Sequence, residues 1–504
     1  MKSFEISDNI LLEEDKPHDR CAVFGIYGHS KAAQMAYYGL LAQQHRGQEA
    51  SGIVTSFHDE ITGKYHFRIH KDFGLVNDVF RDDTILNDEL KGDLAIGHNR
   101  YSTAGAADNL LNIQPLTVNY RDGNIAISHN GNLTNFRELR KSLQDEGTIF
   151  QTTSDTEIIL HLMAKSKERD QIRQIIEALN RVEGAYSLAI MTDDKLIAAR
   201  DPHGWRPLAV GKLDGAYVIA SETCAFDIIN AKYVCDVEPG EILVIDKNTL
   251  LTGEAKSFKL KKENTQSHHC IFEYIYFSRP DSYIFGESVD RVRRKLGKSL
   301  AHEHPVKPSF DSETVVVINV PDSSNTGTLG YVSASNKLGN KSKYEIGLIR
   351  SHYVGRTFIQ PLQDVREVRV KTKFNTVKGV LQGKKVVIID DSIVRGTTSR
   401  QLVKLIRNSG AREIHFRVTS PPIRYPCYYG MDFPNPKELI ANRCDGDTDK
   451  IKNELGVDSI GYLSLENLLK SVPHDRGESY CTACFSGQFP TQIGIDVTKD
   501  EHEV

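Results

Sequence analysis

Long apolar runs are missing from this 504-residue sequence: no stretch reaches 18 apolar residues and mean hydropathy is −0.39, which excludes a helix that spans a bilayer. Charge of one sign is missing too. Sixty-three Lys and Arg face 67 Asp and Glu for a net −4, so no overall basic field draws the chain onto nucleic acid. Cysteine is sparse at eight residues, far below the density of a disulfide scaffold. Each thiol is thus a candidate core residue, nucleophile or metal ligand in a reducing, cytoplasmic setting. No internal repeat and no low-complexity tract occurs. What is present is the composition of a globular protein, 39% apolar with 37 glycines, long enough for about two or three domains at roughly 150 residues each.

The first twenty residues hold six acids against Lys2, Lys16 and Arg20, the reverse of a signal peptide. From Cys21 to about Val244, short apolar segments (CAVFGIYG, LAIGHNRYSTAG, IAISHNGN, AYSLAIMT, AYVIAS, ILVID) alternate with Gly, Asn and Asp turns, which predicts antiparallel strands in an α+β layered domain. Ser154 and Glu157 predict a capping box ahead of an apolar helix. The lysine-rich stretch from Lys247 to His269 reads as a linker. Beyond it the rhythm changes. TVVVINV, KYEIGLI, KKVVIID and EIHFRV are buried strands separated by helical segments, the pattern of a doubly wound parallel α/β sheet.

KKVVIIDDSIVRGTTSR delivers Asp390 and Asp391 at the carboxyl end of a strand, where open α/β sheets place ligands. Gly396, Thr397, Thr398 and Ser399 then open a helix and make a phosphate cradle. Adjacent carboxylates suit ribose hydroxyls or hydrated Mg²⁺. From spacing alone, an Asx-capped strand-to-helix turn fits equally well. The whole string resembles the phosphoribosyl pyrophosphate (PRPP) signature of the type I phosphoribosyltransferases. The resemblance implies that the two acids hold ribose and magnesium and that the turn holds the 5-phosphate, with Arg395 inside the same loop.

Cys21 taken alone reads as a core thiol at the start of a buried strand. QHRGQEASG (44–52), GHNRYSTAG (97–105) and SHNGNLTN (128–135) change that, because together with Cys21 they resemble the glutaminase domain of the class II, N-terminal-nucleophile amidotransferases. That resemblance implies an αββα sandwich over residues 21–255 and a cleaved propeptide over 1–20. Removing the leader would give Cys21 an α-amine of reference pKa about 7.7 to 8.0, suited to act as general base near neutrality. Cys21 is then the nucleophile, Asn130 and the Gly131 amide form the oxyanion hole, Arg100 clamps the glutamine α-carboxylate and Asp155 meets the α-ammonium. The usual Glu-Cys-Gly is here Arg20-Cys21-Ala22, and Asn99 stands where an aliphatic is more usual.

One familiar family fuses these halves. With DPHGWRPL (201–208), YIYFSRPDS (274–282), YVGRTFIQP (353–361) and SPP (420–422) in matching order, the chain resembles the amidophosphoribosyltransferases. The resemblance implies ammonia transfer from glutamine to PRPP, giving 5-phosphoribosylamine, and passage of ammonia between sites out of contact with water. It implies a phosphoribosyltransferase domain over 265–470, Ser323 joining Asp390 and Asp391 at Mg²⁺, and Arg356 as a further PRPP contact. The usual Lys-Asn-Arg before YVGRTF is Arg350-Ser351-His352. Purine nucleotide inhibitors and a homo-oligomer (dimer or tetramer) are also implied, with no nucleic-acid or membrane partner. The competing readings are a PRPP-sensing regulator and an amidotransferase for another sugar phosphate, and the intact glutaminase residues and the PRPP loop argue against them in turn.

Cys481 and Cys484, in a C-terminal segment over 471–504, form CTAC. With Cys270 and Cys427 they match positions where one branch of the family carries iron-sulfur ligands. Four thiolates suit either Zn²⁺ or a cubane by composition, and the resemblance favours a structural [4Fe-4S] cluster. Cys224, Cys235 and Cys444 read as ordinary thiols.

Overall fold

The computed structural model describes residues 18–19, 21–101, 109–261, 266–351, 374–433, 435–473 and 478–492. Most of the acidic leader, residues 102–108 and the stretch 352–373 that contains His352 and Arg356 lie outside the described residues.

Two antiparallel sheets form the first half. Seven strands run in spatial order 232–236, 209–213, 216–220, 21–27, 94–100, 50–59 and 64–73, and six in order 256–259, 241–245, 196–200, 184–192, 123–133 and 116–120. Cys21–Tyr27 and Gly184–Thr192 are buried along their whole length, because each sheet is covered on both faces. Small and branched side chains fill the layer between the sheets, among them Val23, Val54, Ile96, Ala126, Ala189 and Ile219. The helix Ala32–Ala42 covers the outer face of the larger sheet, and Glu157–Lys165 and Gln171–Leu179 cover that of the smaller. This is the αββα sandwich.

Two local expectations change. The helix after Ser154 begins at Glu157 with Thr156 at its N-cap and no side-chain cap. Ser154 Oγ accepts the Thr156 amide at 3.3 Å, and the Glu157 carboxylate reaches back to the Gln151 and Thr152 amides, both at 2.8 Å. Burial opposes the charge on Glu157, yet His161, these amides and the Thr152 hydroxyl hold its carboxyl down to about 2. The pair therefore braces the preceding loop instead of closing a reciprocal capping box. The second change is the linker, which is structured as far as it is described. Asp246 and Thr249 cap the helix Lys247–Thr252, and Lys256–Lys259 pairs with Glu241–Val244 as a sheet edge. Phe258 and Leu260 turn inward toward one core cluster and Leu250 and Ala255 toward another, with no apolar periodicity.

The second half holds a wholly parallel sheet in spatial order 342–344, 315–319, 385–390, 413–418 and 459–462. Val315 and Val317 face the helices Val289–Glu303 and Asn325–Lys337. Val316 and Ile318 face Thr397–Asn408 and Thr448–Leu455. KYEIGLI is not one strand: Ser342–Tyr344 joins the sheet, whereas Leu348–Arg350 pairs antiparallel with Phe374–Thr376. The chain turns between them, with the Gly347 amide bonding back to the Glu345 carbonyl at 3.1 Å. The tail returns to the start of this half, where Tyr480–Cys481 pairs in parallel with His269–Cys270. Among the described residues no helix is long and apolar enough to cross a membrane.

Candidate active sites

Cys21 opens its strand in register with Arg100 on the neighbouring strand. Residues directly opposite across an antiparallel pair share a face, with Cβ atoms about 4.5–5.5 Å apart, so the Cys21 and Arg100 side chains leave the sheet on the same side from neighbouring points. Ser221 ties this strand to the other sheet. Its Oγ accepts from the Val23 amide at 3.0 Å and from Asn130 Nδ2 at 3.4 Å, and Asn130 Oδ1 is buried without a partner among the described residues. The Asn130 NH₂ keeps a second proton beyond the one given to Ser221, which an oxyanion can accept.

Gly131 follows at φ +152°, and a Cβ there would stand 2.0 Å from the Ala185 carbonyl oxygen, so only glycine fits. Asp155 accepts the Leu133 amide at 2.9 Å and lies 3.6 Å from His129 Nδ1, at the exit of the same strand. Asn99 is fully buried, and its amide spans from the Leu40 carbonyl (2.8 Å) to the Ser51 hydroxyl (2.9 Å), which accounts for a polar residue in an aliphatic position. His98 sits on the same strand, and burial pushes it down to about 3, so the imidazole is neutral.

In the other half, Asp390 ends its strand at the point where the strand order reverses between 315–319 and 385–390, the place where open sheets bind ligands. Asp390 and Asp391 are both buried. Ser323 donates to Asp391 Oδ2, Ser324 bridges to Asp390 Oδ1 at 3.2 Å and Asp391 Oδ2 at 3.4 Å, and Ser392 reaches Asp391 Oδ1 at 2.7 Å. Gly396, at φ +77°, caps the helix Thr397–Asn408, and a Cβ on it would lie 2.5 Å from Ile440. The first-turn amides of Thr397, Thr398 and Ser399 stand at a helix start, where an anion is favoured. Arg395 is ion-paired with Glu438 at 2.7 Å. Two carboxylates and a hydroxyl suit Mg²⁺, which takes few protein ligands and completes its shell with water and substrate phosphate. Among the described residues no three His, Cys, Asp or Glu side chains are grouped closely enough to hold a metal ion by themselves.

A buried ionic network, some of whose members fall within the quoted motifs, links the first of these sites to the second half of the chain. Arg46 donates through Nε to the Cys21 carbonyl at 3.3 Å, to Glu222 at 2.6 Å, and to both oxygens of Glu273 at 2.9 and 2.8 Å. Arg206 also reaches Glu273, at 3.0 Å. Burial would raise the Glu222 carboxyl, but the His45 and Arg46 charges hold it far below its ordinary range. Glu273 belongs to the second half, so Arg46 links the backbone of Cys21 to that half. Arg46→Met is expected to cost about 3–5 kcal/mol of stability, because both glutamates stay buried without their main partner. Denaturant unfolding reads this, and a loss under about 1 kcal/mol would contradict the network's structural weight. Arg293 was also missed. It is buried behind Asp391 and donates to the Tyr274 and Ser278 carbonyls at 2.7 and 2.8 Å, and burial lowers it to about 10. Nothing in the sequence distinguished it from a surface helix arginine.

Cys270, Cys427, Cys481 and Cys484 all line one small apolar cavity with Trp205 and Met431. None of the eight cysteines is in a disulfide. Burial pushes the Cys481 thiol up to about 12, even with the Ala483 amide and the Trp205 indole beside it. The Trp205 Nε1 proton is buried, and the Cys481 sulfur is the acceptor beside it. Cys224 and Cys444 are buried elsewhere, and Cys235 is exposed.

A family model described as a glutamine amidotransferase domain matches residues 98–227. Over 487 residues the chain is 46% identical to Amidophosphoribosyltransferase 2, chloroplastic, of Arabidopsis thaliana, covering 96% of this chain and 82% of that one. It is 45% identical over 491 residues to the amidophosphoribosyltransferase of Bacillus subtilis (strain 168), covering 97% of each. Among solved structures, glutamine PRPP amidotransferase from B. subtilis complexed with ADP and GMP superposes with a TM-score of 0.85 at 44% identity, over 95% of this chain and 99% of that one.

Proposed function

This chain belongs to the amidophosphoribosyltransferase family and transfers ammonia from glutamine to PRPP, the first step of purine biosynthesis, and on that premise we propose which residues carry each half of the reaction. Cleavage after Arg20 exposes the Cys21 α-amine, which takes the thiol proton. Cys21 Sγ attacks the amide carbon of glutamine. The C–N bond breaks, ammonia leaves, and water then cleaves the thioester to glutamate. The Asn130 NH₂ and the Gly131 amide hold the oxyanion, while Arg100 and Asp155 hold the α-carboxylate and α-ammonium. The observation that carries this reading is the register of Cys21 with Arg100, with Ser221 linking their sheet to Asn130. The amine is preferred to His98 as base, since burial pushes that imidazole down to about 3. Intact-mass spectrometry of active enzyme is expected to show loss of residues 1–20. An active species that retains Met1 would sink the proposal.

Ammonia then attacks C1 of PRPP as pyrophosphate departs. Asp390 and Asp391 hold the ribose hydroxyls and, with Ser323, a Mg²⁺ ion, whose chemistry there is to neutralise the leaving pyrophosphate. Gly396 to Ser399 hold the 5-phosphate, with Arg395 and Arg356 as further contacts. Purine nucleotides fit as feedback ligands, by likeness to the relative solved with ADP and GMP. The working form is a homo-oligomer in a reducing compartment such as the cytoplasm.

The four cavity thiols fit one [4Fe-4S] cluster. The donors surround a void instead of one point, and the buried Trp205 N–H beside Cys481 suits a thiolate acceptor. Ligands drawn from Cys270 to Cys484 make the group a cross-link between distant segments. Anaerobically purified protein is expected to be brown with about four irons per chain. Cys481→Ser should be colourless and less stable, and Cys224→Ser brown and active. Zinc in place of iron would refute the assignment.

A further inference from the structure

The strand that carries the oxyanion donors is held from the other half of the molecule. Asn132 Nδ2 donates to the Tyr428 carbonyl, 296 positions away, at 3.0 Å. Gly430 has φ +96° and lies flat on Gly131, for a Cβ there would stand 3.1 Å from Gly131 C and 3.2 Å from Gly131 Cα. On its opposite side Gly131 is closed by Ala185. Ala185 packs in turn with Trp205 and Tyr429, whose rings stack at 4.3 Å, and the Tyr429 amide donates to Cys427 Sγ at 3.3 Å. One short loop thus meets the oxyanion segment through a hydrogen bond, a bare glycine backbone and a stacked ring pair.

We propose that the loop Cys427–Gly430 is a positioning element for the glutaminase reaction, which fixes the direction of the Gly131 amide from the transferase half. The proposal rests on Gly131 as an oxyanion donor. A donor stabilises developing charge only when aimed at the place the oxyanion will occupy. Strand pairing on either side of Gly131 sets its backbone path, and the latitude that glycine keeps within that path is limited by what packs against it. Here that packing is Ala185 on one side and Gly430 on the other. Tyr428 and Gly430 are placed by these contacts against Asn132 and Gly131. Their effect passes through Asn132 and Gly131, and glutamine affinity, set by Arg100 and Asp155, is outside it.

The test uses the processed, full-length protein. In Gly430→Ala, glutamine-dependent kcat is expected to fall about 10- to 100-fold, somewhat less than deletion of an oxyanion donor, with KM for glutamine within about threefold. Ammonia-dependent synthesis should stay within about twofold of wild type. Affinity for the aldehyde analogue of glutamine, to which the Cys21 thiol adds to give a hemithioacetal, should fall by the same factor as kcat, whereas affinity for glutamate should not. Asn132→Ala adds no bulk, so it serves if Gly430→Ala does not fold, and is expected to move the same quantities about fivefold. Unchanged glutamine kcat in both variants overturns the proposal. So does parallel loss of both activities along with thermal stability, which would mean general damage. Asn130→Ala separates the layers. If it leaves glutamine turnover intact, the oxyanion assignment fails and this proposal with it; if it abolishes turnover while Gly430→Ala does not, only the positioning role fails.

Discussion

Cys21→Ser is expected to lower glutamine-dependent synthesis by at least about a thousandfold while ammonia-dependent synthesis stays within about twofold. The hydroxyl is a far poorer nucleophile than the thiol at neutral pH, and an α-amine of ordinary pKa does not deprotonate it to a useful extent. The variant keeps the shape of the site, since Ser is close in size and the Cys21 carbonyl still accepts from Arg46. Transfer survives because its chemistry stands on a different sheet, at the end of the strand Lys385–Asp390. Steady-state rates with each nitrogen source, at saturating PRPP, read the split directly. Equal loss of both activities would mean that the two halves do not divide the reaction as proposed.

The Asp390→Asn, Asp391→Asn double variant is expected to lose both activities by about a thousandfold or more, since ribose and metal contacts serve either nitrogen source. The amides match the carboxylates in shape, and where an NH₂ replaces an oxygen it can donate to the serine hydroxyl that formerly donated, so the strand end is not dismantled. Adjacent buried carboxylates repel each other, and neutral replacements relieve that repulsion. Thermal stability without ligand is therefore expected to be unchanged or higher, which separates a lost site from a lost fold. PRPP should no longer raise the melting temperature, where the wild type gains with PRPP concentration. Undiminished ammonia-dependent activity would contradict the assignment.

The sequence by itself determined those features whose physical cause is local. Apolar alternation set the antiparallel strands, continuous apolar runs set the parallel ones, and contiguous strings such as KKVVIIDDSIVRGTTSR and SHNGN marked the loops proposed to hold ligands, because a turn's chemistry is written in its own residues. Features that depend on contacts between distant segments were decided by the tertiary structure. Phe258 and Leu260 make an edge strand out of a lysine-rich stretch only because a sheet is there to receive them. Arg46 and Glu273, 227 positions apart, look like ordinary charges until burial makes each the other's requirement. The four thiols face a single cavity only after the tail has paired with His269–Cys270. Gly430 shows no role in sequence at all, since the backbone it lies against belongs to the other half of the chain.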